Sequence, residues 1–130
     1  MNTNGMALAP HAAANFGRKL SLARTISGLS YRDAAEVANV SAQYLNNIEK
    51  GTRLSPSTRV LMRVGRAYLM PEHAMPDLVF EARVLTAFEE RGVPEPTQKD
   101  LYHTLEGLMA GAGFVLVTDI ADIIREMLAR

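Results

Sequence analysis

The sequence predicts an all-α protein: an N-terminal bundle of four to five short helices over residues 15–70, then a smaller helical region over residues 76–130. Two observations carry this expectation. Apolar residues return every three or four positions, the spacing that places them on one helix face. Ser, Thr or Asn stands before most of these segments, and Gly or Pro stands after them. A hydrophobic content of 48% in 130 residues can fill a core, which excludes wholesale disorder.

The elements follow in order. Residues 1–14 are small and polar, with Gly5 and Pro10, and read as a flexible arm. Asn15 is a candidate N-cap for a first helix with Phe16, Leu20, Ala23 and Ser27 on one face and Gly28 as C-cap. Ser30-Tyr31-Arg32-Asp33 has the form of a capping box with Asp for Glu, opening a short helix through Ala38. Asn39 tolerates the left-handed conformation of a tight turn. Ser41 caps a third helix, and Gly51 ends it. Ser55-Pro56 signals a fourth helix, with Val60, Leu61, Val64, Ala67 and Tyr68 as its apolar face. Met70 to Pro76 is a boundary or kink.

Three further helical patterns follow. Leu78, Ala82, Leu85 and Phe88 share a face, stopped by Gly92-Val93-Pro94. Thr97 caps the next pattern, with Leu101, Leu105 and Leu108, broken at Gly111-Ala112-Gly113. Phe114 to Val117 fits strand or helix equally. Thr118 or Asp119 opens a last helix with Ile120, Ile123, Ile124, Met127 and Leu128 in one stripe.

Charge divides the chain. Residues 1–70 carry nine Lys/Arg against three Asp/Glu, and residues 71–130 carry five against eleven. A basic half suits phosphate contact, while an acidic half is repelled by DNA. The chain has no cysteine, which excludes disulfides and thiolate metal sites. No run approaches the roughly 20 apolar residues that span a bilayer. The N-terminus lacks a charged segment followed by an unbroken apolar one, so no secretory signal is expected.

The most informative stretch is Leu29 to Gly51, two short helices around a three-residue turn. Ala34, Ala35, Ala38, Val40, Leu45 and Ile48 are its expected buried positions. The small residues let the helices cross closely. Ala42, Gln43, Asn46 and Asn47 are left pointing outward. Gln and Asn amides can pair bidentately with adenine in the major groove. Ser41 and the start of its helix are natural phosphate contacts.

These residues resemble the Cro/C1-type helix-turn-helix domain, also called XRE, of phage repressors and bacterial regulators. The resemblance covers about residues 16 to 69. It rests on Arg24 before Gly28-Leu29-Ser30, the helix Tyr31 to Ala38, the turn Asn39-Val40-Ser41, the pair Leu45 and Ile48, Ile48-Glu49-Lys50-Gly51, and Pro56 with the apolar fourth helix. It implies that the helix at about 42–50 enters the major groove. Ser41, Ala42, Gln43 and Asn47 then meet bases or adjacent phosphates, and Arg24 and Glu49 form a structural clamp between the first helix and the recognition helix. Lys50 and Arg53 then fall in the backbone-contacting loop. With Asn46 added to the base-reading set, the expected phosphate contacts are Tyr31, Arg32, Ser41, Tyr44, Lys50, Thr52 and Arg53. Tyr31 replaces a common Gln, Asn39 replaces a common Gly, and Tyr44 reads equally as core or as contact. Nothing comparable covers residues 71–130.

Arg59, Arg63 and Arg66 recur along one side of the fourth helix and read as a solvated basic face. His11, His73 and His103 have no ligand-like spacing, so neither metal nor cofactor is expected. There is no nucleophile–base constellation or phosphate-binding glycine loop, so the chain is not expected to be an enzyme. Glu89 and Glu90 are adjacent in a helix and point apart.

A single helix-turn-helix makes few base contacts, and such proteins gain affinity by dimerising on two half-sites. Ile120, Ile123, Ile124, Met127 and Leu128 are therefore the expected homodimer interface, against completion of the monomer's own core. The function expected is a double-stranded-DNA-binding transcription regulator, a repressor, in the cytoplasm at the nucleoid. The alternative is an antitoxin-type module whose C-terminal half holds a protein partner while the N-terminal half autoregulates. A ligand-responsive sensor ranks last.

Overall fold

The computed structural model describes residues 6–112, with side chains through Gly107. Its helices are α1 (Pro10–Ser27), α2 (Tyr31–Ala38), α3 (Ala42–Glu49), α4 (Thr58–Ala67), α5 (Ala74–Glu90) and α6 (Glu95–Ala112). The fold is all-α among the described residues. The chain divides into two compact units, the first ending at Thr86 and the second starting at Ala87.

In the first unit, α1 packs on α3, and α2 packs on both α3 and α4. The core is built from Phe16 and Leu20 of α1, the alanines 34, 35 and 38 of α2, Leu45 and Ile48 of α3, and Leu61, Val64, Ala67 and Tyr68 around α4. Gly17 explains how α1 and α3 come so close. A Cβ there would lie 2.5 Å from the carbonyl oxygens of both Ile48 and Glu49.

Residues 6–14, read from sequence as part of an arm, are instead built into this unit. Met6, Leu8, Ala9, Ala12 and Ala13 are buried. The Met6 N–H donates to the Pro56 carbonyl at 2.9 Å, and the Leu8 N–H to Leu54 at 2.7 Å. The first helix starts at Pro10 rather than after Asn15, because proline's fixed φ suits a first helical position and its missing N–H is not needed there. Asn15 lies inside α1.

The fourth helix also starts later than Ser55-Pro56 implied. Ser57 is its N-cap, accepting from the Val60 N–H at 3.4 Å, while buried Pro56 belongs to the loop that receives the N-terminal segment.

The first three turns of α5 belong to the first unit, so that unit runs past the expected boundary at 70–76. Met75, Val79, Ala82 and Thr86 form its buried stripe, and Leu78 is only partly covered. Val84 and Phe88 are also buried, on the opposite side of the helix. The expected face of Leu78, Ala82, Leu85 and Phe88 is therefore not the one that forms, because a helix covered on both sides carries no single-stripe signal. Two polar ties hold α5 to α1. Glu81 accepts from Asn15 Nδ2 at 2.9 Å and from Lys19 Nζ at 2.6 Å. The Thr86 hydroxyl accepts from the Ala9 N–H at 3.1 Å, just before the start of α1.

In the second unit, Gly92 at φ 71° ends α5, with the Val93 N–H returning to the Phe88 carbonyl at 3.0 Å. Helix α6 starts at Glu95, two residues before Thr97, since the Pro94 carbonyl accepts the first turn's Gln98 N–H at 2.9 Å. Leu105 is buried. The expected interface residues Ile120, Ile123, Ile124, Met127 and Leu128 lie outside the described residues.

Candidate nucleic-acid interface

Local chemistry sets the turn between α2 and α3. The Ser30 hydroxyl caps α2 by accepting from the Asp33 N–H at 3.1 Å. Asn39 closes α2 with φ 57°, and the next N–H, of Val40, returns to the Ala35 carbonyl at 3.0 Å. Ser41 then caps α3, its hydroxyl accepting from the Tyr44 N–H at 3.0 Å. Arg63 of α4 donates Nε–H to the Ala38 carbonyl at 3.0 Å. That places a cation at the C-terminus of α2, where carbonyls lack helical partners and the dipole is negative.

Helix α3 buries Leu45, Ile48 and Glu49 and turns a polar side outward. Ala42 and Gln43 are exposed; Asn46 and Asn47 are half-buried. Gln43 Nε2 donates to Asn47 Oδ1 at 2.9 Å, so the two amides form one linked array. The Asn47 backbone carbonyl gathers the exit loop, accepting from the N–H groups of Thr52 at 3.0 Å and Arg53 at 3.2 Å, and from the Thr52 hydroxyl at 3.1 Å. Gly51 makes that turn at φ 74°, and a Cβ there would also sit 2.7 Å from Ala14 Cα. Lys50, Thr52 and Arg53 are exposed beside the end of α3.

Beneath this surface lies a charged cluster. Arg24 Nε is 3.1 and 3.0 Å from the two Glu49 carboxylate oxygens, and Arg24 Nη1 donates to the Leu29 carbonyl at 2.9 Å. The Tyr68 hydroxyl donates to Glu49 Oε2 at 2.5 Å. The Tyr31 ring lies 3.9 Å from the Arg24 guanidinium, as a cation–π contact. The Glu49 side chain is only 2% exposed, so the arginine and the phenol supply the partners that water would. Burial disfavours the Arg24 charge, but the hydrogen bond and charge of Glu49 outweigh it and raise the guanidinium's pKa. Burial, then the hydrogen bond to Glu49, pushes the Tyr68 phenol well above the ordinary tyrosine value. The cluster joins α1, α2, the end of α3 and the end of α4.

The sequence over residues 15–78 matches the family described as a helix-turn-helix domain. Residues 15–78 are a helix-turn-helix domain of the Cro/C1-like type. No curated protein matches the chain. The domain includes the start of α5, and residues beyond it match no family here.

Within the helix-turn-helix domain, α2 and α3 are the paired helices. The four residues expected to read bases all lie on α3, and Gln43 and Asn47 are joined directly. Of the residues expected at phosphates, Arg32, Ser41, Lys50, Thr52 and Arg53 are exposed. Tyr31 and Tyr44 are half-buried and already engaged: Tyr31 under Arg24, and Tyr44 through its hydroxyl, which accepts from the Ser57 N–H at 3.1 Å. Arg63, taken from sequence as part of a solvated stripe, is half-buried against α2, whereas Arg59 and Arg66 are exposed. Tyr68 was legible only as part of an apolar face. Its bond to Glu49 joins residues 19 positions apart and has no local signal.

Among the described residues, no three His, Asp or Glu residues are grouped to hold a metal ion. None of the described helices is long and apolar enough to cross a membrane.

Proposed function

We propose that the chain is a sequence-specific double-stranded-DNA-binding transcription regulator that inserts α3 into the major groove. The linked amides of exposed Gln43 and half-buried Asn47, on a helix whose other side is anchored by Leu45, Ile48 and Glu49, carry this reading. An amide pair offers both donors and acceptors to base edges at low cost in rearrangement. Ser41 at the N-terminus of α3, and Lys50, Thr52 and Arg53 after its C-terminus, bracket the amides with phosphate-binding groups. The excess of Lys and Arg in residues 1–70 supports the same face-to-face match with DNA.

In this reading the protein acts as a repressor that occludes a promoter, in the cytoplasm at the nucleoid, and catalyses nothing. It binds as a dimer, through Ile120, Ile123, Ile124, Met127 and Leu128, so that two copies of α3 meet half-sites about one helical turn apart. Selection from a pool of random duplexes tests the proposal. Enrichment of a two-fold symmetric sequence is the expected result. Retention without enrichment would overturn sequence-specific reading.

A further inference from the structure

The geometry points to Tyr44 as a positioning residue that couples the reading helix to the phosphate-binding loop by holding Arg53 in place. This inference rests on the DNA-binding reading above and deepens it. Tyr44 sits one residue after Gln43, inside α3, and is half-buried. Its hydroxyl accepts the Ser57 N–H at 3.1 Å, which ties the ring to the residue that caps α4. The Arg53 guanidinium lies 4.9 Å from the centroid of the same ring. That is within the distance at which an aromatic face attracts a cation.

Arg53 is otherwise an exposed side chain on a loop, with many rotamers to lose on meeting a phosphate. Its backbone N–H is held by the Asn47 carbonyl at 3.2 Å, so the loop itself is fixed to α3. The ring then selects, from the rotamers left, those that keep the guanidinium beside α3. A cation on an aromatic face keeps its N–H edge free for a bidentate phosphate contact. Tyr44 thus contributes to phosphate binding through Arg53 by the face of its ring.

The test is a double-mutant cycle read by salt titration. Wild type, Tyr44→Leu, Arg53→Ala, the double variant and Tyr44→Phe are titrated against one duplex enriched by selection and one unselected duplex. Arg53→Ala is expected to weaken binding and lower the slope of log affinity against log salt by about one phosphate contact. Tyr44→Leu is expected to weaken binding several-fold and lower the slope in the same direction, but to cost nothing further once Arg53 is gone. Tyr44→Phe keeps the ring and is expected to keep the wild-type slope, which separates positioning from loss of fold. Equal losses from Tyr44→Leu with and without Arg53 would overturn the positioning role and leave the DNA-binding reading intact. If wild type itself binds neither duplex, the DNA-binding reading falls, and this role falls with it.

Discussion

At the scale of single residues, the interface combines two chemistries. Gln43 is exposed and Asn47 half-buried, and the hydrogen bond between their amides limits their rotamers before any partner arrives. Gln43→Ala and Asn47→Ala are each expected to cost about 1–3 kcal/mol of binding at particular base pairs. Their losses should be non-additive, since each also frees the other, and competition binding across base-substituted duplexes will show this. The charged cluster beneath is structural. Arg24→Ala leaves Glu49 buried with only the Tyr68 hydroxyl as partner, and chemical denaturation should register a loss of about 3 kcal/mol. Tyr68 gives the cluster a pH signature. Its folded-state pKa is raised above the ordinary 10.0, so its contribution is fully present below that pH and is lost as pH climbs toward the folded-state value. Stability of wild type should therefore fall above about pH 10, and Tyr68→Phe should flatten that alkaline limb in pH-dependent unfolding. Arg24 and Glu49 were legible as a pair only through the family resemblance, because nothing local links residues 25 positions apart. Tyr68 was not legible at all as the third member.

At the scale of elements, the caps were readable because they are local. Ser30, Asn39, Ser41 and Gly28 each act within a few residues of their own position, and all four do what their side chains or backbone freedom allow. The helix starts that sequence reasoning misplaced lie beside contacts with distant partners. Pro10 can open α1 by its own fixed φ, but the residues before it are held by Leu54, Pro56 and Thr86, which no local pattern shows. Ser57 caps α4 through the Val60 N–H, while buried Pro56 gives its carbonyl to the Met6 N–H. Arg63 shows the same limit, since only the folded bundle brings it to the end of α2. Arg63→Met removes that donor, and the Ala38 carbonyl is left without it. Thermal unfolding should report about 1 kcal/mol of lost stability. Gly17 is the sharper case. Alanine there meets two backbone carbonyls that cannot move aside as a side chain can, so Gly17→Ala should cost at least about 1–3 kcal/mol by overpacking. The matching Gly107→Ala, at a helical glycine with nothing near its added Cβ, should be neutral or slightly stabilising.

At the scale of the whole molecule, charge separates the two halves more cleanly than packing does. The basic excess ends near residue 70, while the first compact unit continues to Thr86. Helix α5 thus adds an acidic helix to a DNA-binding bundle, tied by Glu81 to Lys19 and Asn15. A dimer formed through residues 120–128 predicts a two-chain mass in size-exclusion chromatography with light scattering, and Ile123→Asp with Ile124→Asp should give the monomer. A wild-type monomer at tens of micromolar would remove that interface. We propose that α3 reads bases rather than merely approaching DNA. This is tested most directly by measuring affinities of wild type and Gln43→Ala for a selected duplex and for each of its single base-pair substitutions. Gln43→Ala is expected to lose discrimination at one or two adjacent base pairs and to keep it elsewhere. A uniform loss across every duplex would contradict it, leaving α3 as a scaffold for phosphate contacts alone.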